Sequence, residues 1–281
     1  MRFYDAHNHL QDERFAGRQA ELVAACRTEG VAAMVVNGAC ESDWPQVAAL
    51  ARQHPDLVRP SFGVHPWYVA ERTPAWQAAL VRWLDETPGA AIGEIGLDRW
   101  RPGLDLPAQE AAFVWQLRLA AARNLPASIH CLQAWGRLFD LLRSEPRPAR
   151  GFLLHSYGGP VEMVAPLAKL GAYFSLPGYF AHVRKQRQRD AFKAVPPDRL
   201  LIETDAPDQL LPASPPARPG TSADETAPRI YALEDPATGK PLNHPANLRA
   251  VYAFAAELFG EPLAALAARV EANFSRLFGV V

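Results

Sequence analysis

Short apolar runs alternate with segments of helical periodicity along the whole chain. Residues 3–7, 31–36, 58–64, 90–95, 127–130, 152–155, 172–175 and 200–204 read as eight strands. The run 31–36 is apolar at every position, as a strand buried on both faces should be. Helical patterns separate the runs: 20–26, 44–52, 74–84, a segment after Asp105, 138–143, 161–170 and an exposed basic stretch around 184–189. In the fourth, Phe113, Leu117, Ala120 and Ala121 form one stripe, and Asp105 is placed to cap it. Eight strand–helix units predict an α/β fold, a closed (β/α)8 barrel of the TIM type. Two further helices are predicted at the end, one from Leu248 closed by Gly260 and one after Pro262.

Between Pro207 and Pro245 the pattern fails. Nine prolines fall in this stretch, which therefore reads as one long irregular loop. Following the eighth strand, it is expected to lie over the catalytic face as a lid or substrate wall.

Length and composition narrow the picture. A chain of 281 residues, 49% hydrophobic and 21% charged, suits one barrel, so residues 1–281 are expected to form a single domain. A net charge of −1 argues against broad nucleic-acid binding, so any such contact must be local to a cleft. Cys26, Cys40 and Cys131 form no Cys-x-x-Cys pair, which fits a reducing cytoplasm. No apolar run approaches membrane-spanning length and no targeting segment is expected before the first strand, so the expected location is cytoplasmic, with no membrane and no obligate protein partner.

Candidate chemistry sits at one end of these runs. His7 and His9 close the first and, on a strand, share a face. His65, Glu94, His130, His155 and Asp205 stand at the same end of later runs. That end is where an α/β barrel builds its active site. A hydrolytic metal site needs nitrogen and oxygen ligands, open positions and often a carboxylate bridging two ions. His7, His9 and Asp205 can hold one ion, His130 and His155 a second, and Glu94 can bridge them. Such a donor set suits zinc, manganese or nickel better than calcium, and magnesium is also retained as a candidate.

The chain resembles the TatD family of metal-dependent hydrolases within the amidohydrolase-like barrels. The resemblance runs in order through Asp5-Ala6-His7-Asn8-His9-Leu10, Gly63-Val64-His65-Pro66, Gly93-Glu94-Ile95-Gly96-Leu97-Asp98, His130, His155-Ser156-Tyr157-Gly158-Gly159, Glu203-Thr204-Asp205-Ala206-Pro207, Asn243-His244-Pro245-Ala246-Asn247-Leu248 and Asn273-Phe274-Ser275-Arg276-Leu277-Phe278-Gly279. It implies a two-metal phosphodiesterase, commonly a deoxyribonuclease or 3′-exonuclease, that attacks DNA ends with a metal-activated water. Asp205 is then expected to handle the proton, Glu94 to share in catalysis, and His65 to contact substrate.

The chain departs from the family after its fifth-strand histidine, where Ser-Arg-Glu is usual and Cys131-Leu132-Gln133 stands here. Leu132 cannot replace a phosphate-binding arginine, and Arg99 or Arg101 is the candidate substitute. This opens an alternative, an amidohydrolase-type hydrolase of an ester, amide or lactone. A third reading is a barrel that keeps metal without catalysis. The substrate is expected to be a DNA end or another small anion.

The remaining polar residues carry weaker expectations. Asp98 either orients its loop or acts on substrate. Asp5 either orients a ligand or is a strand-start polar group. Glu203 is expected opposite Thr204, toward the helices or the strand end, in a supporting role. Cys131 is expected to pack away from the barrel interior, and His54 to be inert. His182 and His244 are left undecided.

Overall fold

The computed structural model describes residues 1–212 and 229–279. Eight parallel strands form one sheet in chain order: β1 Phe3–Asn8, β2 Val31–Asn37, β3 Val58–Phe62, β4 Ala91–Asp98, β5 Ala127–Leu132, β6 Phe152–Leu154, β7 Ala172–Pro177 and β8 Leu200–Glu203. Just past β8, the Asp205 N–H donates to the His7 carbonyl (2.9 Å) and the His9 N–H donates to the Ala206 carbonyl (2.8 Å), bringing β8 against β1. The sheet thus curls into a (β/α)8 barrel, as the pattern predicts.

Helices cover the outside: α1 Gln19–Thr28, α2 Trp44–Gln53, α3 Trp76–Glu86, α4 Leu106–Arg123, α5 Trp135–Ser144, α6 Val164–Lys169 and α7 Gln186–Lys193. Asp105 caps α4 through the Ala108 N–H (3.2 Å). The predicted helix 161–170 is a short 3-10 turn followed by α6, which carries Pro166. The C-terminal helices α8 Leu248–Phe259 and α9 Leu263–Phe278 close over β1 and β8. Tyr252 packs on Phe3 and Phe274 on Tyr4, with ring centroids 4.8 and 5.0 Å apart. Gly260 ends α8 in the left-handed conformation (φ 65°), as its position after the periodic stretch predicts. No single helix among the described residues is long and apolar enough to cross a membrane.

The reading of 207–245 as wholly irregular is corrected. Strands β9 Ala232–Glu234 and β10 Pro241–Asn243 pair as an antiparallel hairpin. Pro241 is tolerated because it opens its strand, where a missing N–H costs least. Asp235 holds the turn, accepting from the Ala237 N–H (2.9 Å) and the Thr238 hydroxyl (2.6 Å). Asn243 ties the hairpin to the end of β8 by donating to the Thr204 carbonyl (2.8 Å). The rest of the predicted lid, 213–228, lies outside the described residues.

Candidate metal centre

Glu94 is the hub. It points inward from β4, and its two oxygens face different partners. Oε2 lies 3.4 Å from His7 Nε2 and 3.3 Å from His9 Nε2. Oε1 lies 2.9 Å from His155 Nε2, 3.1 Å from His130 Nδ1 and 3.4 Å from His65 Nε2. Asp205 Oδ1 joins the first set, 3.5 Å from His7 Nε2 and 3.7 Å from His9 Nε2. All seven side chains belong to β1, β4 or β5 or to the residues just beyond β1, β3, β6 and β8, at the C-terminal end of the barrel.

Close backbone approach makes this convergence possible. A Cβ on Gly96 (φ 149°) would sit 2.0 Å from the His130 carbonyl oxygen. Glycine there lets β4 carry Glu94 hard against β5. Asp205 also has a positive φ of 53°, a conformation that aspartate tolerates better than most residues.

A ring of polar partners aims the imidazoles. The far ring nitrogen of a metal-ligating histidine commonly donates to a carboxylate or carbonyl. His130 Nε2 lies 3.1 Å from Asp98 Oδ2, and His9 Nδ1 lies 2.8 Å from the Asn37 carbonyl. The Asn37 amide faces His7 Nδ1 at 3.1 Å, and its own Oδ1 is buried without a partner. His65 is different. Its Nδ1 accepts the Trp67 N–H at 3.2 Å, so in the neutral ring Nε2 carries the proton. His65 therefore presents an N–H at Nε2, which faces Glu94 Oε1 at 3.4 Å, and it groups with Glu94 and His130 closely enough to share a metal ion.

The charges are compressed. Burial pushes the Glu94 carboxyl up, but His65, His155, His7 and His130 outweigh it and hold the group well below the usual range. Burial lowers His9, yet Glu94 and Asp205 raise it to about 9. Burial also opposes protonation of His155, which Glu94 and Glu203 nevertheless raise well above its ordinary value. Burial holds His65 at about 4, so it is neutral near pH 7.

This donor set fits divalent ions. Four donors arranged tetrahedrally at zinc-like bond lengths lie about 3.3 Å apart. The first set around Glu94 Oε2 spans 3.2 to 3.7 Å, including the His7 Nε2–His9 Nε2 separation. Protons and cations would compete for the same nitrogens. Metal loading at pH 7 is therefore expected to release protons and to weaken as pH falls. Titration calorimetry in two buffers of different ionisation heat checks this. Equal heats in both would remove these nitrogens as ligands.

Other sequence expectations resolve as follows. Asp98 orients its loop, the first of its two expected roles, and also faces the His130 ring. Its Oδ2 faces His130 and accepts from Trp67 Nε1 (2.7 Å), while Oδ1 accepts from the backbone of Trp100 (2.7 Å) and Arg101 (3.0 Å). Glu203 lies opposite Thr204 as alternation requires, but it points toward the site rather than the helices. It accepts from the Ser156 and Ser175 hydroxyls and lies 3.8 Å from His155 Nδ1. Asp5 does not orient the His7 ring; it accepts from the His7 backbone (3.2 Å), Asn8 (3.1 Å) and Thr204 (3.0 and 2.5 Å). Cys131 packs in the apolar core. His244 caps a 3-10 turn, accepting from the Ala246 N–H, and His182 lies 3.2 Å from the Leu210 carbonyl. Arg99 and Arg101 are exposed, the latter with its guanidinium over the Trp67 ring at 4.9 Å. Leu132 ends β5 half-buried, two residues beyond His130 and so on the same face.

Several contributors are not singled out by the sequence reading. Asn37 is one, although it too is a polar residue ending an apolar run. Gln209 donates to Asp205 Oδ2 (2.8 Å) and to the Ser156 hydroxyl. Trp67 supplies both its indole and its backbone N–H.

Fold and site together define a barrel of the metal-dependent hydrolase type. The model of the TatD-related DNase family matches residues 4–279, and the chain belongs to this family. It is 31% identical over 278 residues to the 3′-5′ ssDNA/RNA exonuclease TatD of Escherichia coli K12, covering 99% of each chain. It is 33% identical over 223 residues to the protein of the same name from Erwinia tasmaniensis, covering 79% of this chain and 86% of that one. Among solved structures, a TatD homologue from Escherichia coli K12 superposes with a TM-score of 0.85 at 25% identity, covering 99% of this chain and 98% of that one. A TatD-family hydrolase from Entamoeba histolytica shares the fold, with a TM-score of 0.80 at 18% identity over 100% of this chain and 99% of that one.

Proposed function

We propose that this chain is a two-metal phosphodiesterase that trims single-stranded DNA from its 3′ end. The observation that carries the reading is the division of nitrogens between the two oxygens of Glu94. One carboxylate faces two donor sets, which is the arrangement a bridging ligand needs. The names of the Escherichia and Erwinia relatives support the substrate class.

In this reading His7, His9 and Asp205 would hold one ion and His130 and His155 the other, with Glu94 shared between the two sets. Divalent ions held there supply Lewis acidity for a phosphoryl oxygen and make water acidic enough to attack near neutral pH. Asp205 holds the proton removed from the attacking water. Its Oδ2 accepts from Gln209, which leaves Oδ1 toward the site. His65, neutral with its proton on Nε2, faces Glu94 at 3.4 Å and lines the side of the pocket where substrate would enter. Asp98 fixes the His130 ring, and Glu203 backs His155. Arg99 and Arg101 supply positive charge at the rim, where Leu132 supplies none. With few phosphates contacted, the salt dependence is shallow.

The test is digestion of end-labelled single-stranded DNA with manganese, magnesium or chelator. Products shortened from the 3′ end are expected with metal and absent with chelator. Leu132→Arg is expected to lower KM about tenfold, the worth of one charge-assisted hydrogen bond to phosphate. If no metal gives shortened DNA while a simple ester or lactone is hydrolysed, the carbonyl-hydrolase reading replaces this one.

A further inference from the structure

The loop after β4 carries an aromatic side chain that the reaction described above does not use. Trp100 is 59% exposed, whereas the other six tryptophans are buried or half-buried. An exposed indole costs apolar hydration, and nothing in the barrel core requires one at this position. Its backbone is nevertheless held firmly. The Trp100 N–H donates to Asp98 Oδ1 at 2.7 Å, and the other oxygen of the same carboxylate lies 3.1 Å from His130 Nε2. One carboxylate thus ties the indole's backbone to the ring of a proposed metal ligand. These two contacts keep the Trp100 nitrogen within about 8 Å of that ring.

The neighbours are cationic. Arg99 and Arg101 flank Trp100, and Arg101 lies over Trp67, whose indole donates to Asp98. The lip of the centre beside β4 therefore combines a solvent-facing indole on an anchored backbone with two guanidinium groups. That combination is the one that holds unpaired nucleotides: a base stacks on the aromatic face while arginine meets the phosphate. A sugar phosphate or a simple ester offers no flat face to the indole.

We infer that Trp100 is a base-stacking platform that seats the terminal nucleobase of a single strand beside the metal centre. This rests on the nuclease reading above and adds the determinant that selects an unpaired base. Stacking of this kind is tolerant of base identity, so the platform discriminates base from no base rather than one base from another.

The test compares two single-stranded substrates, one with an ordinary 3′-terminal nucleotide and one with an abasic 3′-terminal residue. For the ordinary end, Trp100→Ala is expected to raise KM tenfold to a hundredfold while kcat changes less than about twofold, from the measured worth of base–aromatic stacking. Trp100→Tyr is expected to restore most of the loss. For the abasic end, wild type and Trp100→Ala are expected to share the same KM. An unchanged KM for the ordinary end, or an equal rise for both ends, overturns the inference; an equal rise assigns Trp100 to holding the loop. If the wild-type protein cleaves no DNA, the nuclease reading fails by itself. Tryptophan fluorescence then decides the platform separately. Quenching by an oligonucleotide that is lost in Trp100→Phe supports it, and absence of quenching overturns it.

Discussion

Replacing Glu94 by glutamine is expected to strip the centre of metal and to lower turnover at least about a thousandfold, since a Lewis-acidic cation contributes several kcal/mol to such reactions. The argument is geometric and electrostatic. Glu94 is 3% exposed and lies within 3.4 Å of a nitrogen on each of five histidines. Glutamine keeps the shape but removes the buried negative charge that faces both donor sets. It also turns one of the two oxygens into a donor, which no cation can use. Glu94→Asp is a sharper comparison. It keeps the charge but is one methylene shorter, so it cannot reach both sets at once. Metal analysis of protein prepared without chelator is expected to find up to two ions in the wild type, fewer in Glu94→Asp and none retained stoichiometrically in Glu94→Gln. Two ions in Glu94→Gln would end the bridging role.

The barrel was legible because parallel strands covered on both faces leave unbroken apolar runs, such as residues 31–36. The site was legible for a related reason. A histidine or carboxylate at the end of such a run has nowhere to point but the end of the barrel, and His7, Glu94, His130, His155 and Asp205 all stand there. What escaped depends on contacts that no local pattern encodes. Which ring nitrogen of His65 holds the proton turns on one backbone N–H from Trp67. Asp98 unites Trp67, Trp100 and His130 across the β4–β5 edge, and only the folded register brings them together. For Glu203, alternation puts it opposite Thr204 but leaves the helices and the strand end both open, because it says which residues share a face and not which face is inside; the folded chain selects the strand end, beside His155. The hairpin β9–β10 was hidden by prolines that sit where a strand tolerates them.

Asp205→Asn is expected to fold normally, to bind substrate with little change in KM and to lose at least about a hundredfold in kcat, a typical loss for a general base. Folding is preserved because asparagine is among the few residues that accept the φ of 53° found here, where alanine would be strained. The carboxylate has two duties. Oδ2 is engaged by Gln209 at 2.8 Å, and Oδ1 lies 3.5 Å from His7 Nε2, among the donors of the first set. Burial raises this carboxyl to about 7, with Glu203 and Glu94 also raising it and His155 and His9 opposing. Divalent ions bound beside it would push the other way and keep it ionised, free to take a proton rather than holding one beforehand. Asparagine can still offer one oxygen to an ion but cannot take the proton. Measuring kcat at saturating manganese separates these duties, because weakened metal affinity is then compensated while the missing base is not. A hundredfold loss that persists at saturating metal assigns the proton to Asp205. Recovery to near wild-type turnover under the same conditions would leave Asp205 as a ligand alone and return the proton to solvent.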